Sequence, residues 1–330
     1  MSIINTIIFK AKTTLCMKIL CIGEALIDMI CTDKGKKLSD GQNFLKKSGG
    51  APANVAAAIA ALGGEVELAA KVGTDPFGTH LKEVMDAFGV GTRWMWQDDK
   101  YFTTFAFVSL MHSGERDFYF NRGADAQLSV EDIEQIDVKQ FAIVHFGSAT
   151  AFLPGPLQQS YFNLMHKCIE EGIFISFDPN YRHLLFKDNI PAFIQLSRLF
   201  LRKCHFFKVS DEEAMLLTNT NTLDEAVDSL LQHTTAVFAI TLGKLGTLLG
   251  MNGQTIIISS IPVTAVDTTG AGDAFVGAVL YQLAQARKPA DTTWQQWQHI
   301  VQQANKAGAR TCEYMGAMEA FKHLSNDIFK

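Results

Sequence analysis

Short apolar runs that do not alternate, separated by stretches of helical period, constrain this chain most. They are Ile19 to Gly23, Ala142 to Phe146, Ile173 to Phe177, Phe206 to Val209 and Ala236 to Thr241. A strand with one wet face alternates apolar and polar residues. A strand apolar at nearly every position is covered on both faces, as in a parallel sheet between helical layers. The helices are legible too. Ala53 to Leu62 stops at Gly63-Gly64, Pro76 to Phe88 stops at Gly89, and Leu157 to Glu171 leads into the next apolar run. Val66 to Val72 and Thr247 to Leu249 read as further strands. The pattern predicts an α/β fold, a doubly wound and mostly parallel sheet flanked by helices, with ligands at the carboxyl ends of its strands.

One region breaks the pattern. Phe102 to Leu110 alternates, His112 to Glu115 turns, and Arg116 to Phe120 returns, so a hairpin is expected outside the main sheet.

Composition narrows the function classes. The 330 residues suit one large domain, or a domain with an appendage. With 29 basic and 34 acidic residues and a net charge of −5, no basic field calls for nucleic acid. The six cysteines contain no C-x-x-C pair, and the nine histidines show no zinc spacing. This reads as a cytoplasmic protein with reduced thiols. The first sixteen residues hold Lys10 and Lys12 and no acid, and their apolar run is too short for a membrane span. Met17-Lys18-Ile19-Leu20 resembles a chain start, so residues 1–17 are expected to be an extension or an alternative start.

The chemistry concentrates in Val266-Asp267-Thr268-Thr269-Gly270-Ala271-Gly272-Asp273-Ala274-Phe275, ahead of a helical run from Ala274 to Ala286. The first turn of a helix has unpaired N–H groups at the positive end of its dipole. With Gly270 and Gly272 beneath them, those groups can close around an anion. Asp273 stands at the same turn and would be repelled by a phosphate unless it serves a hydroxyl. The layout is that of phosphoryl transfer, with Asp273 as base and the Gly270–Ala271–Gly272–Asp273 backbone as anion hole. Phe275 stands where the third glycine of a dinucleotide fingerprint would fall. Gly243-Lys244 is followed by Leu245, so there is no P-loop.

This string resembles the C-terminal signature of the ribokinase/PfkB family of sugar kinases. Gly49-Gly50-Ala51-Pro52-Ala53-Asn54 resembles its N-terminal signature. Gly23 to Asp28, Lys71 to Gly78, Phe177-Asp178-Pro179-Asn180-Tyr181-Arg182 and Gly114-Glu115-Arg116 look most like fructokinases within it. The resemblance implies a ribokinase-like kinase domain over residues 18–325. It also implies a small β-sheet lid, placed at about 32–47 and 92–123, through which a homodimer is expected to form. ATP and Mg2+ are the implied cofactors, with K+ a further candidate. The implied reaction is phosphorylation of D-fructose at its 6-hydroxyl. Ribokinase, 2-keto-3-deoxygluconate kinase and nucleoside kinase are alternatives, and a non-catalytic sugar- or nucleotide-binding protein is a reading of another class.

By the same resemblance Asp28, Gly49, Gly50, Asn54 and Asn180 contact sugar, and Arg182 meets the transferring phosphate. An acid such as Asp28 can accept from two hydroxyls, glycines allow close approach, and a guanidinium matches phosphate geometry. Thr241, Gly243 and Gly246 match the nucleotide loop, and Asn305 a helix residue lining that pocket. Ser210 and Glu213 fall in an N-x-x-E position, with serine replacing the usual asparagine and Glu213 tied indirectly to magnesium. Asp267 and Thr269 match a monovalent-cation site, completed by carbonyls near Thr311 to Gly316.

Overall fold

The computed structural model describes residues 17–111, 116–286 and 288–329. Its strands are β1 (Ile19–Ile22), β2 (Leu26–Cys31), β3 (Phe44–Gly49), β4 (Val66–Gly73), β5 (Met95–Asp98), β6 (Phe105–Leu110), β7 (Arg116–Asn121), β8 (Ile143–Phe146), β9 (Phe174–Phe177), β10 (Phe206–Ser210), β11 (Val237–Thr241), β12 (Thr247–Met251) and β13 (Gln254–Ile258). Among the described residues, nine of them form one sheet in the order β13-β12-β11-β10-β9-β8-β1-β4-β5. β1 pairs in parallel with β8 on one side and β4 on the other. The chain reverses its winding at β1, which opens a crevice at the carboxyl ends of β1 and β8.

Burial explains why β1 is apolar throughout. Ile19 and Cys21 pack into the cluster on one face of the sheet, Leu20 and Ile22 into the cluster on the other. The helices α1 (Ala51–Ala61), α2 (Pro76–Phe88), α3 (Val130–Glu134), α4 (Pro156–Glu170), α5 (His183–Phe186), α6 (Ile190–Leu201), α7 (Asp211–Thr218), α8 (Leu223–His233), α9 (Ala271–Ala284), α10 (Trp294–Thr311) and α11 (Ala317–Phe321) divide between these faces. α1, α9 and α10 share the first cluster, while α4, α6 and α8 share the second. The alanine-rich α1 lies close enough to α9 that a Cβ on Gly277 would press on Ala58.

The sheet is mostly parallel, as expected, with an antiparallel edge, and the second sheet departs from the lid bounds expected at 32–47 and 92–123. β12 and β13 are antiparallel to their neighbours. The turn joining them is Asn252-Gly253, both at positive φ (49° and 77°), the pairing that two-residue hairpins favour. The four-stranded second sheet, in the order β3-β2-β6-β7, begins earlier than Thr32, because all of β2 belongs to it. Met95–Asp98, inside the expected lid span, instead extends the main sheet alongside β4. The expected strand from Phe102 starts only at Phe105, because the Thr103 amide and hydroxyl donate to Asp75 and the Thr104 hydroxyl donates to Asp125. The expected turn at His112–Glu115 and the extension at 1–16 lie outside the described residues. Among the described residues no helix is long and apolar enough to cross a membrane.

Candidate active site

The site lies along the carboxyl edge of the main sheet, under the smaller one. At the end of β1 the buried Glu24 accepts from the amides of Ala51 (3.1 Å) and Ala149 (3.3 Å) and from the Ser148 hydroxyl. It thereby pins the start of α1 to the loop after β8. Gly50 caps α1 at φ 104°, and any Cβ there would strike the Glu24 carbonyl. Gly49 is closed off differently, since a Cβ on it would run into the Asp28 carboxylate. The two glycines are therefore needed for Asp28 and α1 to meet.

α9 starts at Ala271, three residues before the expected helical run, with Gly270 as a left-handed N-cap at φ 83°. Asp273 thus falls inside the first turn. The Ala274 amide reaches back to the Gly270 carbonyl, and the Ala271 amide bonds the Thr268 carbonyl at 3.2 Å. Among the described residues no partner engages the amides of Gly272 and Asp273. Of the three amides expected to form an anion hole, those of Gly272 and Asp273 stay free, because the turn consumes the Ala271 N–H.

Asp273 Oδ2 accepts from Asn54 Nδ2 at 2.8 Å. Burial pushes its carboxyl up to about 6, with the nearby Asp178 carboxylate acting the same way and Asn54, Lys208 and Arg182 opposing. Asp28 is also held at about 6 by burial, against the Arg182 guanidinium. Arg182 thus stands near both acids, although it is exposed and its Nη1 donates to the Tyr181 carbonyl. Asn180 sits buried at φ 48°, and its Nδ2 has no partner among the described residues; neither has Asn54 Oδ1. An unused donor and an unused acceptor facing one crevice suit a polyhydroxy ligand, because a hydroxyl can satisfy either.

Two residues here carried no role in the sequence reading. Lys208 on β10 pairs with Asp178 after β9 at 3.2 Å, both nearly buried. Burial pulls the ammonium down, but Asp178, Glu213 and Asp273 outweigh it and raise it above its usual value. A Cβ on Gly272 would lie 3.2 Å from Lys208 Nζ, so this charge abuts the free amides of α9. The available signal was a lone lysine inside the apolar run Phe206 to Val209, which must find a buried acid.

The nucleotide-side residues divide. Thr241 ends β11, and Gly243 (φ 57°) and Gly246 (φ 107°) shape the turn after it, where a Cβ on Gly246 would strike the Ile258 carbonyl. Glu213 and Ser210 form a capping box at the start of α7, and Glu213 also accepts from the Tyr181 amide at 2.7 Å. Asn305 is turned inward: its Nδ2 donates to the Ile258 carbonyl (2.8 Å) and its Oδ1 accepts from Thr247 (2.7 Å). Its amide ties α10 to the β12–β13 hairpin instead of lining a pocket. Asp267 and Thr269 bond each other, and Asp267 Oδ2 accepts from the Gly316 amide at 2.8 Å.

A doubly wound, mostly parallel sheet flanked by helices, with a buried lysine and a pair of raised acids beside a smaller four-stranded sheet, defines a ribokinase-like α/β kinase. The chain belongs to the pfkB family carbohydrate kinases, whose profile matches residues 17–323. It is 34% identical to probable fructokinase-4 of Arabidopsis thaliana, over 92% of this chain and 93% of that one. The fructokinase of Xylella fastidiosa with bound ATP superposes with a TM-score of 0.83 at 28% identity, covering 96% and 97% of the two chains. A fructokinase double mutant from Vibrio cholerae in its fructose-, ADP- and potassium-bound form gives 0.80 at 28% identity, covering 95% and 97%. The protein is a sugar kinase.

Proposed function

We propose that this enzyme transfers the γ-phosphoryl group of ATP to the 6-hydroxyl of D-fructose. Asp28, Asn54 and Asn180 hold the sugar with its primary hydroxyl at Asp273. As the hydroxyl oxygen bonds to phosphorus and the bond to the β-phosphate oxygen breaks, the hydroxyl proton passes to the Asp273 carboxylate. The Gly272 and Asp273 amides, with Lys208 behind them and Arg182 above, take up the charge on the transferring group. The observation that carries this reading is a carboxylate raised to about 6, held at 2.8 Å by Asn54, in the same helical turn as two free amides. Fructose is favoured over other sugars by relatives that act on or bind it.

Magnesium would enter with ATP and would supply charge neutralisation at its phosphates. Among the described residues no group of three or more His, Cys, Asp or Glu could hold a metal ion. Glu213 is nearest in role, but both its oxygens already accept from backbone amides, so its contact would run through water.

The lid exposes Leu110 and Tyr119 at 60% each, alongside Ile30 and Leu45. That apolar surface supports a homodimer formed lid to lid. Light scattering giving a monomer's mass at micromolar concentration would refute it. The catalytic reading is tested by coupled ADP release with ATP, magnesium and a sugar panel. Turnover with fructose supports it, turnover only with ribose, 2-keto-3-deoxygluconate or a nucleoside moves the substrate, and no turnover with retained nucleotide binding overturns it.

A further inference from the structure

The smaller sheet joins the main body at four connections: β1 to β2, β3 to α1, β5 to β6, and the chain that leaves β7. One buried cluster reaches all four. Glu24 lies in the first, and the bond it accepts from the Ala51 amide holds the end of the second. In the third, the Thr104 hydroxyl donates to Asp125, and its oxygen accepts from the Gly123 amide of the fourth at 2.8 Å. Arg122, also in the fourth, donates through Nε to Asp125 (3.3 Å), through Nη1 to the Pro154 carbonyl (2.8 Å) and through Nη2 to the Thr150 carbonyl (3.1 Å). The Ile27 amide at the start of β2 donates to the Thr104 carbonyl at 3.0 Å, which ties the first connection to the third. The third and fourth touch so closely that a Cβ on Gly123 would strike the Phe102 carbonyl.

A hydroxyl joins the two acids of this cluster. Thr150, in the loop after β8, lies 2.9 Å from Asp125 Oδ2 and 3.4 Å from Glu24 Oε2. It has one hydrogen to give, and the shorter distance assigns it to Asp125. Glu24 and Asp125 are each 1% exposed, and among the described residues the one ion pair that either makes is Asp125 with Arg122. Burial raises the Glu24 carboxyl and the Asp125 carboxylate adds to that, against the bonds from Ser148 and the amides. Two buried acids with one guanidinium are a poor source of stability, since apolar residues of the same volume cost less to bury. What such a cluster supplies is geometry, because a fully bonded buried network holds one arrangement of its members.

We propose that Asp125, together with Arg122 and Thr150, is a positioning residue for the sugar: it fixes how the smaller sheet stands over the crevice, and so where Asp28 meets the acceptor. Asp125 itself sits in the short turn Ala124–Gln127 of the main body and is too buried to reach a ligand. Asp28 stands on β2, four residues beyond Glu24. A smaller sheet that is loosely rooted would be in the competent position only part of the time, and the apparent affinity for sugar falls with that fraction. The turn after β11 and the start of α9 are held by other bonds, so the affinity for ATP should not follow. The proposal rests on the sugar-kinase reading for its effect on affinity, but not for its effect on the motion of the smaller sheet.

The test compares wild type with Asp125→Ala, Thr150→Val and a control, Leu230→Ala, which opens a cavity in α8 away from all four connections. Two quantities are read. One is the pair of KM values, for ATP and for whichever sugar the wild type turns over, in coupled ADP release. The other is hydrogen exchange of the β2 and β6 amides against those of β1 and β8. Thr150→Val keeps the shape and removes one bond to a buried carboxylate, so the sugar KM should rise about tenfold. Asp125→Ala removes several such bonds and should raise it about thirtyfold or more. The ATP KM should stay within about twofold in both, and exchange should quicken in β2 and β6 while β1 and β8 hold. Leu230→Ala should melt at a lower temperature and keep both KM values, which separates positioning from loss of stability. A sugar KM within about twofold of wild type in both variants, or equal rises in the two KM values, overturns the proposal. So does a control that raises the sugar KM as much as Thr150→Val does. If Asp125→Ala does not fold, Thr150→Val decides alone. If the wild type turns over no sugar, the catalytic reading fails by itself and exchange decides. Quickening confined to β2 and β6 then supports the positioning role, and quickening across the main sheet, or none, overturns it.

Discussion

Asp273→Asn should abolish turnover and at the same time make the unliganded protein more stable, and the two effects together test the electrostatic account of the site. Asp273 ionises at about 6 in the fold against 3.8 for a free side chain, chiefly because it is buried. Taken one-to-one, that difference penalises the ionised fold by about 3 kcal/mol. The side chain is half-buried in an open crevice, and screening there reduces the figure to about 1–2 kcal/mol. Asparagine keeps an acceptor for Asn54 and carries no charge, so it removes the penalty. With an unfolding entropy of ~2.1 cal/mol/K per residue, a chain of this length should gain about 2–3 °C at neutral pH. The sign with pH follows from the direction of the shift. A raised carboxyl favours the fold while protonated, so wild type loses stability as pH rises from about 4 to about 6. The gap between variant and wild type should therefore be full above pH ~6, shrink through that window and vanish near pH ~4, where both proteins are neutral at this position. Thermal melts at half-unit pH steps, alongside coupled ADP release, measure both. Turnover should fall by ~10³-fold, within the range of a positioned base combined with its oriented substrate. A variant no more stable than wild type at pH 7.5, or a stability gap independent of pH, refutes the desolvated carboxylate. Turnover retained within about tenfold refutes the base.

Asp28 and Asp273 both lie at about 6, so the acid limb of kcat/KM should fall with a slope near two protons, and Asp28→Asn should reduce it to one in an initial-rate pH profile. Lys208→Met strands the buried Asp178, and a chemical-denaturation midpoint should report a loss of about 3–5 kcal/mol. Adding Asp178→Asn should recover most of that stability without recovering turnover, which separates the charge held for the phosphoryl group from the pair's effect on folding. Gly49→Ala drives a methyl into the Asp28 carboxylate; the sugar KM should rise about tenfold while the ATP KM holds, matching ~1–3 kcal/mol of overpacking confined to one subsite.

The sheet was legible because its strands are covered on both faces: Ile19 to Ile22 has no polar position, and only a parallel sheet between helices buries such a strand. The β12–β13 hairpin escaped because its apolar run reads like the parallel strands before it, although Asn252-Gly253 carried the signal that distinguishes it. Met95–Asp98 was assigned to the lid by proximity in sequence, whereas its backbone partners lie on β4, and pairing of that kind is not encoded in a local period. Around the candidate site, the glycine-capped start of α9 was readable because loop chemistry and helix starts are local. Lys208 and Asp178 were not, since a buried ion pair is a relation between two strands and each partner alone looks like an accident. Asn305 shows the reverse error, a residue at the right place in the chain whose amide is used up by its neighbours.

The charges around the crevice explain how one carboxylate can be both present and useful. Asp28, Asp178, Glu213 and Asp273 gather there against Lys208 and Arg182, so the unliganded site is acidic, and Asp273 is already harder to ionise than a solvated aspartate. A triphosphate brought against the Gly272 and Asp273 amides adds negative charge within a few ångströms of it. That raises its affinity for a proton further, toward the value at which a base works best near neutral pH. Lys208 and Arg182 lower Asp273 and would be drawn partly toward the phosphates, which strengthens the base again. On the proposed reading, Asp273 would therefore be a weaker base in the empty enzyme than with donor and acceptor both in place. On that reading, water entering before the nucleotide would meet a carboxylate held at about 6, while a sugar hydroxyl would meet one tuned by the phosphoryl group it is about to receive.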